Sequence, residues 1–299
     1  MNLPSELKIK ILLYCTPEEL ILLSQNCEDS WKDILNTYQV LSHCTEHLIN
    51  NIPSISKHAY DFVTNLHKKL HKNKSNFSDV IRLHKILKNP SAYAEMSTNS
   101  FTPKPRLLLI GLDLYQFWLG VKIEDRKQNL GLKPVKGQNG TVQFGKYGPC
   151  AILEKPFEMV YIFNSRKLIE QNNNLNANLA KIKQIQSCNC LMLVVESFDN
   201  EDSESFVEDK NLLKSMLKVM CTGVSMKIGI LNVNYSGKSV HPIDIAEKLG
   251  LVELAEKWKL DWKTLTVDRS KVCRQNDLSV DKFHFYSDGI DALYKWVVR

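Results

Sequence analysis

The chain has 299 residues, 43% of them hydrophobic and 24% charged, with a net charge of +6. That mix excludes a disordered or collagen-like polypeptide and suits one large domain or two to three small ones. Its most apolar run, Leu107 to Val121, is broken by Asp113 and falls short of the roughly 20 residues of a membrane helix, while Pro4, Glu6, Lys8 and Lys10 interrupt any leader-like apolar core, so a cytoplasmic location, extending to the nucleus, is expected.

The charge is uneven, and it divides the chain into zones. Residues 1–40 carry three basic and six acidic side chains, residues 41–106 ten and four, and residues 107–299 twenty-six and twenty-three. In the first zone, Leu3-Pro4-Ser5-Glu6-Leu7 opens a helix in which Leu3, Leu7, Ile11 and Leu12 recur at helical spacing. Thr16-Pro17-Glu18-Glu19 predicts a second start, with a capping hydroxyl, a proline in the first turn and acids near the positive helix end. Leu20, Leu22 and Leu23 form its apolar stripe. Glu28 or Asp29 begins a third helix carrying Trp31, Ile34 and Leu35. Three helices in about 40 residues bury too little apolar surface to stand comfortably alone, so such a unit is expected to seek a partner surface.

Leu3, Pro4, Glu6, Leu7, Ile11, Leu12, Pro17, Leu20, Leu23 and Trp31 reproduce an L-P-x-E-L, I-L, P-x-x-L, L, W order that resembles an F-box. Cys15 stands where that family usually has leucine, and the Leu20-to-Trp31 spacing is one residue long. The resemblance implies docking onto a Skp-family adaptor within a cullin–RING ubiquitin ligase, through those ten residues.

Residues 41–103 read as a basic helical linker. Tyr60, Val63, Leu66 and Leu70 form one stripe; Phe77, Val80, Ile81, Leu83, Ile86 and Leu87 form another, capped by Asn76 or Ser78. Asn89-Pro90 ends it, and a polar loop from Ser97 to Pro105 leads onward. His67 and His71 have the i, i+4 spacing of metal ligands, but there is no third ligand and lysines flank them. No metal is expected. The run Lys68, Lys69, Lys72 and Lys74 reads as a solvated helix face, with polyanion contact as the alternative.

From residue 104 to 299 strands and helices alternate. Strands are expected at Leu107–Gly111, Phe157–Phe163, Leu191–Val195 and Lys227–Val233, and helices at Leu114–Val121, Arg166–Ile185, Val207–Met220, Ile243–Leu249 and Gly289–Val298. Near-continuous apolar strands between helices predict a parallel sheet covered on both faces, hence an α+α/β chain. Cys188 and Cys190 would share one strand face, and the eight cysteines, none in a C-x-x-C pair, read as reduced structural thiols.

The stretches Asp244–Leu251 and Asp288–Val297 resemble two helices of the Ras/Arf small GTPases. The phosphate chemistry does not follow. A P-loop needs glycine, four residues, then Gly-Lys-Ser/Thr. After Gly111 the chain has Gln116, Phe117 and Trp118 instead, and no Asp-x-x-Gly follows the second strand. Asn232 survives from a guanine-reading Asn-Lys-x-Asp, but Tyr235 replaces the aspartate. Gly237-Lys238-Ser239 matches the tail of a P-loop but follows a late strand, and reads as a polar turn. No nucleotide cofactor and no catalysis are therefore expected.

An F-box, a helical linker and a GTPase-like domain without nucleotide motifs are similar together to the F-box only protein 4 family. The resemblance implies a non-catalytic receptor that recruits proteins of the telomeric repeat-binding factor or cyclin D class for ubiquitylation. The chain opens directly on the F-box-like segment, so self-association through a preceding extension is not expected. An open strand edge at Thr141–Phe144 or Thr264–Val267 is a candidate recruiting surface. Two alternatives remain open: a pseudo-GTPase scaffold without a ubiquitin role, and a basic nucleic-acid binder using the middle segment.

Overall fold

The computed structural model describes residues 3–88, 106–111, 133–134, 150–153, 159–164, 186, 188–197, 204–220, 226–234, 238, 240–268, 293 and 296–297. Contacts divide the chain into two compact units, Met1–Ser97 and Thr98–Arg299.

The first unit is helical. Helix α1 (Ser5–Leu12) follows Pro4, which occupies the capping position rather than the first turn. Helix α2 (Pro17–Asn26) starts as its sequence demands. The Thr16 hydroxyl accepts from the Glu19 N–H at 3.3 Å, and the Glu19 carboxylate accepts from the Thr16 N–H at 2.7 Å. This reciprocal box satisfies two otherwise orphaned donors, and Pro17 adds no unmet donor of its own. Helix α3 (Asp29–Leu35) begins after Glu28.

Helix α4 (Tyr38–Asn50) buries Val40, Leu41, Cys44, Thr45, Leu48 and Ile49 along one face and packs against α1, α2 and α3. A short extended segment, β1 (Ser54–Ser56), precedes α5 (Lys57–His71), and α6 (Phe77–Lys88) completes the set. The segment expected to be a linker is thus part of the same packed body as the opening helices: α4 also contacts α5 and α6. Polar ties reinforce this. The Phe77 N–H donates to the Asn36 side-chain oxygen at 2.8 Å, and Glu18 on α2 meets His84 at 3.3 Å and Lys88 at 3.4 Å on α6. Leu66, Leu70, Leu83 and Ile86 fill the α5–α6 seam side of the core at 4% exposure or less.

The second unit is a mixed sheet with helices. Its strands are β2 (Arg106–Gly111), β3 (Lys133–Pro134), β4 (Cys150–Leu153), β5 (Met159–Asn164), β6 (Cys190–Ser197), β7 (Lys227–Asn234) and β8 (Asp261–Asp268). Within this unit they run in the order β8-β7-β6-β2-β5-β4-β3. The five from β8 to β5 are mutually parallel, and β4 and β3 are antiparallel additions. Leu107 to Ile110 and Cys190 to Val195 are almost wholly buried, as expected of central parallel strands with both faces covered. The Arg106 N–H donates to the Asn189 side chain at 2.8 Å, and the Asn189 N–H returns to the Arg106 carbonyl at 3.1 Å, aligning the starts of β2 and β6.

Helix α7 (Glu204–Met220) lies between β6 and β7 in sequence, and α8 (Pro242–Lys248) and α9 (Leu251–Trp258) lie between β7 and β8. The chain turns between α8 and α9 at Gly250, whose φ of +68° is the left-handed conformation that glycine adopts without strain. The Leu114–Val121 and Arg166–Ile185 helices and the Thr141–Phe144 edge lie outside the described residues. Residues 293, 296 and 297 of the last expected helix are helical. Thr264–Val267 belongs to β8, which pairs along its length with β7.

Candidate partner-binding surface

The opening helix separates its apolar residues into two populations. Leu12 is turned into the core at 1% exposure, and Leu20 of α2 is fully enclosed. Pro17 is buried as well, while Leu23 and Trp31 are half-buried. Leu7 and Ile11 are each 46% exposed, Leu3 is 40% exposed, and Tyr14 just beyond the helix is 93% exposed. Pro4 and Glu6 are also exposed. Leu7 and Ile11 are four residues apart in α1 and lie along one helix face, with Leu3 before the cap and Tyr14 after the last turn. On α2, Leu22 is 61% exposed.

Of the ten residues that resemble an F-box, Leu3, Pro4, Glu6, Leu7 and Ile11 therefore present themselves at the surface. Leu12, Pro17 and Leu20 hold the helices together behind them. Tyr14 was not singled out in the sequence. Its signal was the continuation of the three-and-four spacing past the end of the L-P-x-E-L pattern.

Trp31 is positioned by an unusual neighbour. Lys8 is only 7% exposed, yet its ammonium sits 5.1 Å from the Trp31 ring centre and donates to the Ser30 hydroxyl at 3.4 Å. The indole face supplies the negative potential that water would otherwise provide, and the contact joins α1 to α3. Cys15 donates weakly to the Ile11 carbonyl at 3.5 Å, and burial, then the Glu19 carboxylate, push its thiol above the ordinary range. It remains protonated at neutral pH and packs as a small apolar group. Burial likewise pushes the Cys44 and Cys190 thiols up to about 12.

In the second unit, Gly111 ends β2 and Asn232 lies near the end of β7, both at the carboxyl side of the sheet. Gln116, Phe117, Trp118 and Tyr235 lie outside the described residues. Asn232 is completely buried and faces no hydrogen-bond partner among the described residues. Its neighbour Asn234 is fully engaged, accepting from the Ser197 hydroxyl at 3.2 Å and donating to the Lys238 carbonyl at 2.8 Å. Lys238 itself is exposed, and its carbonyl is tied back onto the strand end in the manner of a polar turn. Among the described residues no cluster of three His, Cys, Asp or Glu side chains gathers, and no helix is long and apolar enough to cross a membrane.

One buried acid stands apart. Asp209 on α7 is 7% exposed, and burial first, then the negative charges of Glu208 and Glu196, push its carboxyl up to about 7. The folded protein therefore holds this proton more tightly than the unfolded chain, in which the group has its ordinary value near 3.8. The stability it contributes is full below about pH 4 and falls by about 1.4 kcal/mol per unit as the pH rises towards 7. Asp209→Asn is expected to flatten this part of the stability–pH profile in urea unfolding and to stabilise the second unit at pH 8. An unchanged profile would show that Asp209 ionises freely in the folded state.

No model of a known protein family matches the chain, and no curated protein matches it significantly.

Proposed function

We propose that this chain is the substrate-recognition subunit of an SCF-type cullin–RING ubiquitin ligase, with the opening helices binding a Skp-family adaptor and the second unit recruiting target proteins. The observation that carries the reading is the exposed ladder formed by Leu7 and Ile11 on α1, flanked by exposed Leu3 before the helix and Tyr14 after it, while Leu12 of the same helix is packed inward. Large apolar side chains left in water at regular spacing favour a partner surface. A contact of ordinary size, about 1,600 Å² in total, accommodates that ladder and a polar rim. The F-box resemblance supplies the identity of the partner.

The mostly parallel sheet, with antiparallel strands added beside β5, supports a degenerate small-GTPase reading for the second unit. So does the position of Gly111 and Asn232 at its carboxyl side, where open α/β sheets bind ligands. The chemistry for nucleotide hydrolysis is missing from the sequence. Gln116, Phe117 and Trp118 replace the glycine, the cation and the magnesium-binding hydroxyl, so the motif's own charge-neutralising groups are absent from the sequence. In this reading the protein acts as a tether. It raises the local concentration of target lysines at the ligase, making ubiquitin transfer effectively intramolecular. Targets of the telomeric repeat-binding factor or cyclin D class follow from the family resemblance.

Two tests apply. Purified protein mixed with purified adaptor is expected to co-elute in gel filtration; separate elution at micromolar concentration contradicts the adaptor assignment. A fluorescent GTP analogue with Mg²⁺ is expected to show no saturable binding at micromolar concentration. Saturation there would point instead to a working nucleotide site.

A further inference from the structure

The charge of this chain is concentrated in one place. Residues 57–88, the α5–α6 hairpin, hold eight Lys and Arg against two Asp, a net +6 that equals the charge of the whole protein. The other 267 residues are balanced, with 31 of each sign.

The structure shows how these cations are displayed. Lys68, Lys69, Lys72, Lys74, Arg82, Lys85 and Lys88 are exposed. Lys69 is paired with Asp79 at 3.1 Å across the seam between α5 and α6, and Lys88 is paired with Glu18. Arg82 reaches the same seam from α6, its guanidinium 5.3 Å from the Phe62 ring centre on α5. Lys68, Lys72, Lys74, Arg82 and Lys85 have no ion pair among the described residues. The turn that joins the helices is held in shape. Asn73 is left-handed at φ +50°, and the Asn73 and Lys74 N–H groups return to the Leu70 and Lys69 carbonyls at 2.9 Å. Lys72 and Lys74 thus project from a fixed backbone.

Helix stability does not account for the arrangement. Cations in the last turn of α5 favour its dipole, but Lys57 opens the same helix with no acid in its first turn, where a positive charge is unfavourable. Lys74 and Arg82 lie in no last turn.

We propose that the α5–α6 hairpin binds the phosphate backbone of duplex nucleic acid without reading its sequence. Seven of the eight cations are Lys, point charges suited to phosphates along a backbone, whereas recognition of acidic or phosphorylated peptides relies on the forked geometry of Arg. The hairpin's Tyr and Phe side chains are withdrawn from the surface: Tyr60 and Phe62 are half-buried and Phe77 is buried. It therefore offers single-stranded bases no Tyr or Phe face to stack on. The proposal does not rest on the ligase reading, since it uses neither α1 nor the sheet.

The test is fluorescence anisotropy of the full chain with labelled 24-base-pair DNA duplexes of two unrelated sequences and a matched RNA duplex. The five cations outside ion pairs predict a slope of about −4.5 in log affinity against log salt, or a loss of about 500-fold between 50 and 200 mM. Lys68→Gln with Lys72→Gln is expected to reduce the slope to about −2.7, a loss of about 40-fold over the same range, and Lys85→Gln to reduce it by about one unit. These side chains are exposed, so circular dichroism should be unchanged. The two DNA sequences should bind within about twofold, and preference between DNA and RNA identifies the duplex concerned. Absence of duplex binding at 50 mM salt overturns the proposal. So does a slope that the substitutions leave unaltered, or displacement by polyglutamate at lower concentration than by duplex.

Discussion

Replacing Leu7 and Ile11 together by Asp is expected to weaken adaptor binding at least a hundredfold and leave the first unit folded. Both residues are 46% exposed and sit at the middle of the ladder from Leu3 to Tyr14. Interfaces draw most of their energy from a few large apolar side chains near the centre of the contact, and each costs 2 kcal/mol or more when lost. A carboxylate at such a point adds the cost of burying an unpaired charge against the partner. In the free protein the same carboxylates stay in water, so urea unfolding should shift by less than about 1 kcal/mol. Titration calorimetry with purified adaptor reads the affinity. A double variant that binds as the parent does would remove α1 from the interface.

Leu20→Ala is expected to destabilise the first unit by about 2–5 kcal/mol, the range for truncating an enclosed leucine. Leu20 is fully buried on α2, behind the exposed ladder. Its loss leaves a cavity beneath the α2 face that meets α3 and α4. Adaptor binding by this variant should fall only in proportion to the unfolded fraction, and added osmolyte should restore it. Leu20→Asp is expected to unfold the unit outright. Urea unfolding of Leu20→Ala that matches the parent within 0.5 kcal/mol would place Leu20 outside the core.

The contrast between Leu20 and Leu7 marks how far the sequence could be read. Spacing identified both as apolar members of a helical pattern, and Thr16-Pro17 with Glu19 located the start of α2 to the residue. Spacing alone does not say which of two apolar stripes meets the protein's own core. That is decided by α4, which packs against α1, α2 and α3 and buries its own Val40, Leu41, Cys44 and Leu48. The apolar stripes read in the middle zone begin at Tyr60, so neither α4 nor the choice of helices it covers was anticipated.

In the second unit β2, β6 and β7 stood out as apolar runs because both of their faces are covered. β8 was legible only in part, as Thr264–Val267. Its Lys263 and Thr264 are polar and yet buried; the Thr264 hydroxyl donates to the Pro242 carbonyl at 3.0 Å. Helix α9 was missed: the expected helix stopped at Leu249, and α9 follows α8 across only Leu249 and Gly250. The burial of Lys8 was not legible, since nothing in the local pattern reveals that Trp31 of a different helix will lie beside it.

The most direct measurement is quantitative mass spectrometry of the full-length protein purified from cells by affinity tag, beside the Leu7→Asp, Ile11→Asp variant. A Skp-family adaptor and a cullin should accompany the parent in near-stoichiometric amount and disappear from the variant, while targets held by the second unit remain with both. Recovery of a well-folded parent with neither adaptor nor cullin would contradict the account.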